Sequence, residues 1–320
     1  MTEMNYAPNQ APDMLGGILA QNQRNHPPAA SRQNGGRLPP EDYAAMKKAE
    51  REHVDDLAEQ MTQSVAENGD VFKQYLDLQS RIPYATKNTL LVMAQRPNAT
   101  RLGDLEYWEE KRCYRQRGET GILISEPGQK YRRGDGTFAQ GFDIKKVFDI
   151  SQMNTRRLKA EPPKPQPTPE QLLTALTYHD AHRIEQVPQL SDGQNALYDQ
   201  QADKIFARSG MEFEELFRSV AEAIAYADLT TGPDTQANPH FSASCVAYML
   251  CKQHGVDIGD YTVWGSPEVF AGMDTFDVRG ELMQIRDCAK DMSRRMRDVL
   301  RELAPEQQQS QHRGNQGHAR

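Results

Sequence analysis

Glu161-Pro162-Pro163-Lys164-Pro165-Gln166-Pro167-Thr168-Pro169 places five prolines in nine residues. Proline fixes φ and has no N–H to donate, so such a run joins neither a helix nor a central strand and favours an extended spacer. A chain of 320 residues interrupted there is expected to form two domains, with length enough to bury a sizeable core without disulfides. The expected organisation is an N-terminal arm over 1–38, a first domain over 39–154, a proline-rich linker over 155–170, a second domain over 171–304 and a tail over 305–320. Arm and tail are rich in Asn, Gln, Pro and Gly. With almost no apolar periodicity they cannot offset the entropy of ordering, and both are expected to be disordered.

Thirty-eight Lys and Arg against 45 Asp and Glu give a net charge of −7, so any binding of nucleic acid must be local. A mean hydropathy of −0.80 with 37% hydrophobic residues accords with loose terminal segments. Cys113, Cys245, Cys251 and Cys288 match no CxxC or zinc-finger spacing, and no apolar leader opens the sequence. A reducing cytoplasm is the expected location. Apolar runs such as 89–94 fall far short of the ~20 residues that cross a bilayer, so no membrane association is expected.

Periodicity predicts an α+β first domain: helices over 40–67, 70–81 and 88–95, the last stopped by Arg96-Pro97, then β segments over 121–125 and 142–150. The second domain reads as mainly helical. Helices are expected over 171–185 and 241–254, the latter closed by Gly255, with a short strand near 203–207. Phe213, Phe217, Val220, Ile224 and Ala227 keep one helix face. Val278, Leu282, Ile285, Ala289, Met292, Met296, Val299 and Leu303 step by 4 and 3 as a buried seam does.

Between Arg81 and Arg133 the chain carries eleven basic and six acidic residues, a local charge of +5, with Tyr84, Tyr107, Trp108, Tyr114 and Tyr131 among them. Cations that follow phosphates, mixed with rings on which bases stack, suit single-stranded nucleic acid. The alternative is ordinary: buried rings and a solvated charged face. The order of the residues adds to this. Ser80-Arg81-Ile82-Pro83-Tyr84-Ala85-Thr86-Lys87-Asn88-Thr89-Leu90-Leu91, Gln95-Arg96-Pro97-Asn98-Ala99-Thr100, Trp108, Arg117-Gly118-Glu119-Thr120-Gly121-Ile122 and Val147-Phe148-Asp149-Ile150-Ser151-Gln152 follow one another as in the N-terminal domain of the ArdC-like antirestriction family, which this stretch resembles over about 45–153. The resemblance implies a single-stranded DNA-binding module of a mobile genetic element. Where the family has Gly-Glu-Lys-Gly, this chain has Thr120 in place of the cation. On this reading Arg81, Lys87, Arg115 and Arg117 neutralise phosphates, Tyr84 and Trp108 stack on bases, and Asn88 offers its amide to a base edge or the backbone.

The same family usually carries a C-terminal zincin-like metallopeptidase domain, and 196–211 continue to look similar. Two imidazoles at i and i+4 share one helix face and can hold one zinc. Where the family has His-Glu-x-x-His, however, this chain reads Ala221-Glu222-Ala223-Ile224-Ala225, and Ser244 stands where the resemblance places the third ligand, a glutamate. Without those ligands a zinc-activated water cannot form. The expectation is therefore a pseudo-metallopeptidase: no metal site, no cofactor, no catalytic residue. His179 and His182, expected on one helix, together with His240, His254, Cys245 and Cys251, form no recognisable four-ligand spacing.

The expected function is that of a non-catalytic single-stranded DNA-binding protein that protects transferred DNA during conjugation or acts in antirestriction. The rival is a scaffold whose dead peptidase domain holds a protein partner, the basic stretch being incidental.

Overall fold

The computed structural model describes residues 39–159, 165–178, 180–231, 238–259 and 268–304; the expected arm, the expected tail and the start of the proline run lie outside them. Along the chain run helices α1 (Pro40–Glu67), α2 (Gly69–Arg81) and α3 (Thr86–Gln95), strand β1 (Leu102–Gly103), helix α4 (Leu105–Glu110), strands β2 (Tyr114–Arg115), β3 (Ile122–Arg132), β4 (Phe138–Asp149) and β5 (Met153–Asn154), helix α5 (Pro169–Thr177), strands β6 (Arg183–Val187), β7 (Ala196–Asp199) and β8 (Lys204–Arg208), and helices α6 (Phe213–Thr231), α7 (Pro239–His254) and α8 (Thr275–Glu302). The class is α+β, as the periodicity predicts. No described helix is long and apolar enough to cross a membrane.

Two compact units result. One takes Met1–Ser64 with Lys87–Arg156, the other Val65–Thr86 with Arg157–Arg320. Residues 65–86, placed by the sequence reading in the first domain, thus fold with the second, for a packing reason. Asn68 caps α2 by accepting from the backbone N–H groups of Asp70 and Val71 at 2.9 and 3.1 Å. The helix then buries Phe72 against Phe241 and Phe270, with ring centroids 5.5 and 5.6 Å away. Tyr248 Oη donates to Asp77 Oδ1 at 2.8 Å, and Lys252 Nζ lies 3.3 Å from the same oxygen. Apolar rings seek partners wherever the fold supplies them, and those partners lie about 170 to 200 residues further along.

In the first unit α1 buries Val54, Leu57, Ala58 and Met61, the i, i+3, i+4, i+7 set of one helix face. Helix α3 is buried nearly all round, Leu90, Leu91, Val92, Met93 and Ala94 being almost inaccessible. The sheet is antiparallel in the order β1-β4-β3, and β2 pairs with β5 in a short ribbon. Strands β3 and β4 form a long hairpin, in register from Ile122↔Val147 to Arg132↔Phe138 with a bulge between Pro127 and Lys130. Its tip closes where Asp135 accepts from Thr137 N at 2.9 Å and Oγ1 at 2.6 Å.

In the second unit the strand order is β6-β8-β7, with β6 parallel and β7 antiparallel to β8. Helix α5 ends at Thr177, short of the predicted 185. Its start is a capping box between Thr168 and Gln171 with Pro169 in the first turn. Beyond it, Arg183–Val187 is taken by parallel pairing with β8, which overrides the helical periodicity. Gly255, at φ 68°, closes α7 in the left-handed region. The seam of α8 is buried from Val278 to Val299; Leu303, its last predicted member, is exposed.

If α2 belongs to the second core, Phe72→Ala should lower stability by roughly 3–5 kcal/mol, the usual cost of emptying a buried phenylalanine site. Denaturant unfolding of the whole chain measures this. A loss under about 1 kcal/mol would mean that the helix is only loosely docked.

Candidate nucleic-acid interface

The free edge of β3 sets the geometry. A strand at a sheet margin leaves every second N–H and C=O unpaired. Here two amide side chains of α3 take that role. Asn88 Nδ2 donates to Ser125 O at 2.9 Å while Ser125 N donates to Asn88 Oδ1 at 2.9 Å. Gln95 Nε2 donates to Leu123 O at 2.9 Å while Leu123 N donates to Gln95 Oε1 at 2.8 Å. Asn88 and Gln95 are seven residues apart, two helical turns, so both face the strand. The base of the hairpin is fixed by this clamp, and its distal half stands in solvent.

Directly paired residues of an antiparallel ladder share a face, and alternate residues change faces. The register places Phe138, Gln140, Phe142, Ile144 and Lys146 of β4 on one face, with Lys130 and Arg132 of β3 paired to Gln140 and Phe138. The distal part of that face carries two exposed cations, Lys130 and Arg132, and two exposed rings, Phe138 at 75% and Phe142 at 57% of full exposure, and a third exposed cation, Lys146, stands at the base opposite Leu123. The hairpin's acidic strand residues Glu126 and Asp143 are on the other face, where Lys145 Nζ meets Glu126 Oε2 at 2.6 Å. The cationic face therefore has no carboxylate of its own and joins two exposed rings to its cations, while the exposed ring of Tyr131 and the paired Lys145 are on the other face.

The residues singled out from sequence are distributed differently. Arg81 and Tyr84 belong to the second unit, the other five to the first. Trp108 is fully buried, its Nε1 donating to Phe148 O at 2.9 Å and its ring edge-on to Tyr107 at 5.0 Å, so it offers no face to a base. The Asn88 amide is consumed on both sides by Ser125, which removes its expected contact with a base. Both corrections have one origin: a buried polar group must find an internal partner, and these did. Lys87 Nζ lies 2.6 Å from Asp55 Oδ1. Arg115 is exposed and donates from Nη1 to Glu119 O at 2.6 Å. Arg117 is exposed and makes no hydrogen bond or ion pair among the described residues.

Around the turn at Gly118, which takes φ 89°, Glu119 Oε2 receives Arg96 Nη2 at 3.1 Å and Gln152 Nε2 at 2.9 Å. Next to it lies the buried Asp149. Burial pushes its carboxyl up, but hydrogen bonds from the Ser151 hydroxyl and from the backbone N–H groups of Thr100, Arg101 and Ser151 outweigh this and hold it below the usual carboxylate range.

In the second unit, Ala221 and Ala225 on α6 and Ser244 on α7 are buried in the core. Glu281 of α8 accepts from Ser242 Oγ at 2.5 Å. The Cys245 thiol is pushed well up, first by burial and then by the charges of Glu281 and Glu222. His182 lies beyond α5, with Nδ1 2.7 Å from Asp203 Oδ1, which also accepts from Tyr198 Oη at 2.8 Å. Its expected partner His179 lies outside the described residues. His240 stacks on Tyr226 with centroids 4.2 Å apart. Among the described residues no three His, Cys, Asp or Glu side chains gather as a metal would require, and the four cysteines are free.

No family model matches the chain, and no curated protein matches it. Among solved structures, the crystal structure of the antirestriction ArdC protein from the R388 plasmid, in its metal-free form, superposes with a TM-score of 0.54 over 76% of this chain and 98% of that one, at 14% identity. The Mn(II)-bound form of the same protein aligns at a TM-score of 0.49 over 77% and 97%, at 13% identity. The fold is ArdC-like. At this identity the likeness is one of architecture, and it agrees with the order of motifs read from the sequence.

Within this ArdC-like fold the motif residues act mainly as scaffold: Asn88, Gln95, Arg96, Trp108, Glu119, Asp149 and Gln152 all make internal contacts. Phe138 and Phe142 were not singled out by sequence reasoning. Strand alternation puts both rings on one side, but they follow the basic stretch, which ends at Arg133.

A carboxyl depressed by folding stabilises the fold above its unfolded range, near pH 4, and loses that contribution as pH falls toward its lower folded value. Asp149→Asn should thus cost about 2 kcal/mol at pH 7, the scale of hydrogen bonds to a charged group, and markedly less at pH 3. Thermal melts of both proteins at the two pH values measure this. An equal cost at both would show that the charge of Asp149 contributes nothing.

Proposed function

We propose that this chain is a non-catalytic single-stranded DNA-binding protein of a mobile genetic element, acting in antirestriction or in the protection of transferred DNA. The observation that carries the reading is the cationic face of the β3–β4 hairpin. Lys130, Arg132 and Lys146 supply positive charge without a carboxylate beside them, and Phe138 and Phe142 present ring area to water at a cost that a ligand would relieve. An unpaired strand can satisfy both features at once, its phosphates on the cations and its bases on the rings. A duplex keeps its base faces stacked inside and would use only the cations. The reading thus places the stacking residues on the hairpin rather than at Tyr84 and Trp108, with Arg115 and Arg117 as further phosphate contacts on the first unit.

The non-catalytic part of the proposal rests on α6 and α7. At the positions matching His-Glu-x-x-His and the distal glutamate stand Ala221, Ala225 and Ser244, all packed in the core, and neither a methyl group nor a lone hydroxyl builds a metal's coordination shell. Glu222 would keep the place of the general base with no activated water to serve. The antirestriction role is supported by the likeness of fold to an antirestriction protein together with the order of motifs.

Stacking is worth roughly 1–3 kcal/mol per base. Phe138→Ser with Phe142→Ser in the full chain should therefore weaken binding of fluorescent oligo-dT by at least about tenfold, tenfold being about 1.4 kcal/mol. Neither residue is buried, so the melting temperature should stay unchanged. Affinity should also fall with salt at about 0.7 logarithmic units per phosphate contact, and Lys130→Ala should reduce that slope by about 0.7. Salt-independent binding, or none in dilute buffer, would favour the scaffold reading, which needs no affinity for DNA.

A further inference from the structure

The second unit contains a cavity of about 920 Å³, walled by the end of α2 and the turn after it, by the last turns of α7 and by the outer face of α8. This lies within the range of pockets that hold small ligands. Arg81 and Tyr84 line it from one side, Gln253 and His254 from α7, and Lys290 and Arg297 from α8.

Most arginines of α8 already have a carboxylate. Arg286 meets Asp287, Arg294 meets Asp291, Arg295 meets Asp228 and Arg301 meets Asp298. Lys290 and Arg297 differ: both are exposed, both line the cavity, and neither makes a hydrogen bond or ion pair among the described residues. Seven residues apart, they project from one helix face about 10 Å apart along the axis, a distance two long side chains can close on one group. Asp287 and Asp291 also line the cavity, but each is engaged by arginine, so Lys290 and Arg297 leave the concave wall with an excess of positive charge that an anion relieves. His254 lines the same wall, but its Nε2 is buried from solvent, and burial, then the charge of Arg297, hold the ring below the usual histidine range and hence neutral. Beside these groups stands the half-buried Tyr84, an aromatic wall.

We propose that this cavity binds a nucleotide: Lys290 and Arg297 hold its phosphate oxygens, and the base lies against Tyr84. Phosphate offers several acceptors to two convergent cations, and the ring suits a base. The nucleotide is either a free nucleoside triphosphate or the 5′-phosphorylated end of a strand. The site is independent of the hairpin and does not rest on the function proposed above.

Isothermal titration of the full chain tests it, with ATP, with inorganic tripolyphosphate, and with a dT trinucleotide carrying or lacking a 5′-phosphate. Saturable binding of ATP, or tighter binding of the trinucleotide with its 5′-phosphate than without it, is expected, and Lys290→Ser with Arg297→Ser weakens the ATP affinity or the gain from the 5′-phosphate at least tenfold. The α8 substitutions are at exposed positions, and an unaltered circular-dichroism melt confirms that the variant is folded. Tighter binding of ATP assigns the site to free nucleotide, and tighter binding of the phosphorylated trinucleotide assigns it to a strand end. Three results overturn the proposal: no saturable binding of ATP together with no gain from the 5′-phosphate, an ATP affinity or 5′-phosphate gain that survives the α8 substitutions, or tripolyphosphate bound as tightly as both nucleotides.

Discussion

The four hydrogen bonds that Asn88 and Gln95 make to the outer edge of β3 govern what the first unit can present to a ligand. A hairpin as long as β3–β4 cannot hold its shape by ladder bonds alone, because a two-stranded ribbon is marginal in water. Helix α3 supplies a third partner at the base, in the form of side-chain amides that reproduce the donor and acceptor pattern of a strand. The edge is thereby closed to pairing with another chain along Leu123 and Ser125, and the distal half is left to solvent with its two faces distinct. Everything proposed for the hairpin follows from that anchoring: the face bearing Phe138, Phe142, Lys130, Arg132 and Lys146 is held at a defined orientation to its base instead of being averaged by twisting.

Much of this was legible in the sequence, though under another interpretation. The helices over 40–67, 70–81 and 88–95 and the two β segments were readable because each keeps one period and ends at a recognisable stop such as Arg96-Pro97. The motifs were readable as well, but their roles were not. Glu119 and Gln152 belong to the motifs that carry the resemblance, and they bond to each other, while Gln152 also donates to Thr120 O at 2.7 Å. Trp108 and Asn88 were assigned to bases because they sit among cations; burial, which a single sequence does not report for isolated rings and amides, decides otherwise. A motif that packs and a motif that binds look alike until the partner of each polar atom is known.

The second unit repeats the lesson with the long-range term made larger. The seam of α8 was visible as an unbroken 4-3 repeat, and it is core. The membership of α2 was not visible, since nothing near Phe72 in the chain announces Phe241 or Phe270. The strand over 183–187 was lost to a helical reading because short apolar runs carry no decisive period, and parallel pairing with β8 settles the matter only once the fold exists. That alanines at 221 and 225 offer a metal no lone pair was legible at once, because this is a property of residue type and needs no structure.

Residue-level cross-linking tests the central claim most directly. Illumination of the full chain with an oligo-dT substituted by bromodeoxyuridine, followed by peptide mapping, should join the strand to residues between Lys130 and Lys146, above all to Phe138 and Phe142. Cross-links confined to other segments, with the hairpin peptides unmodified, would contradict the account.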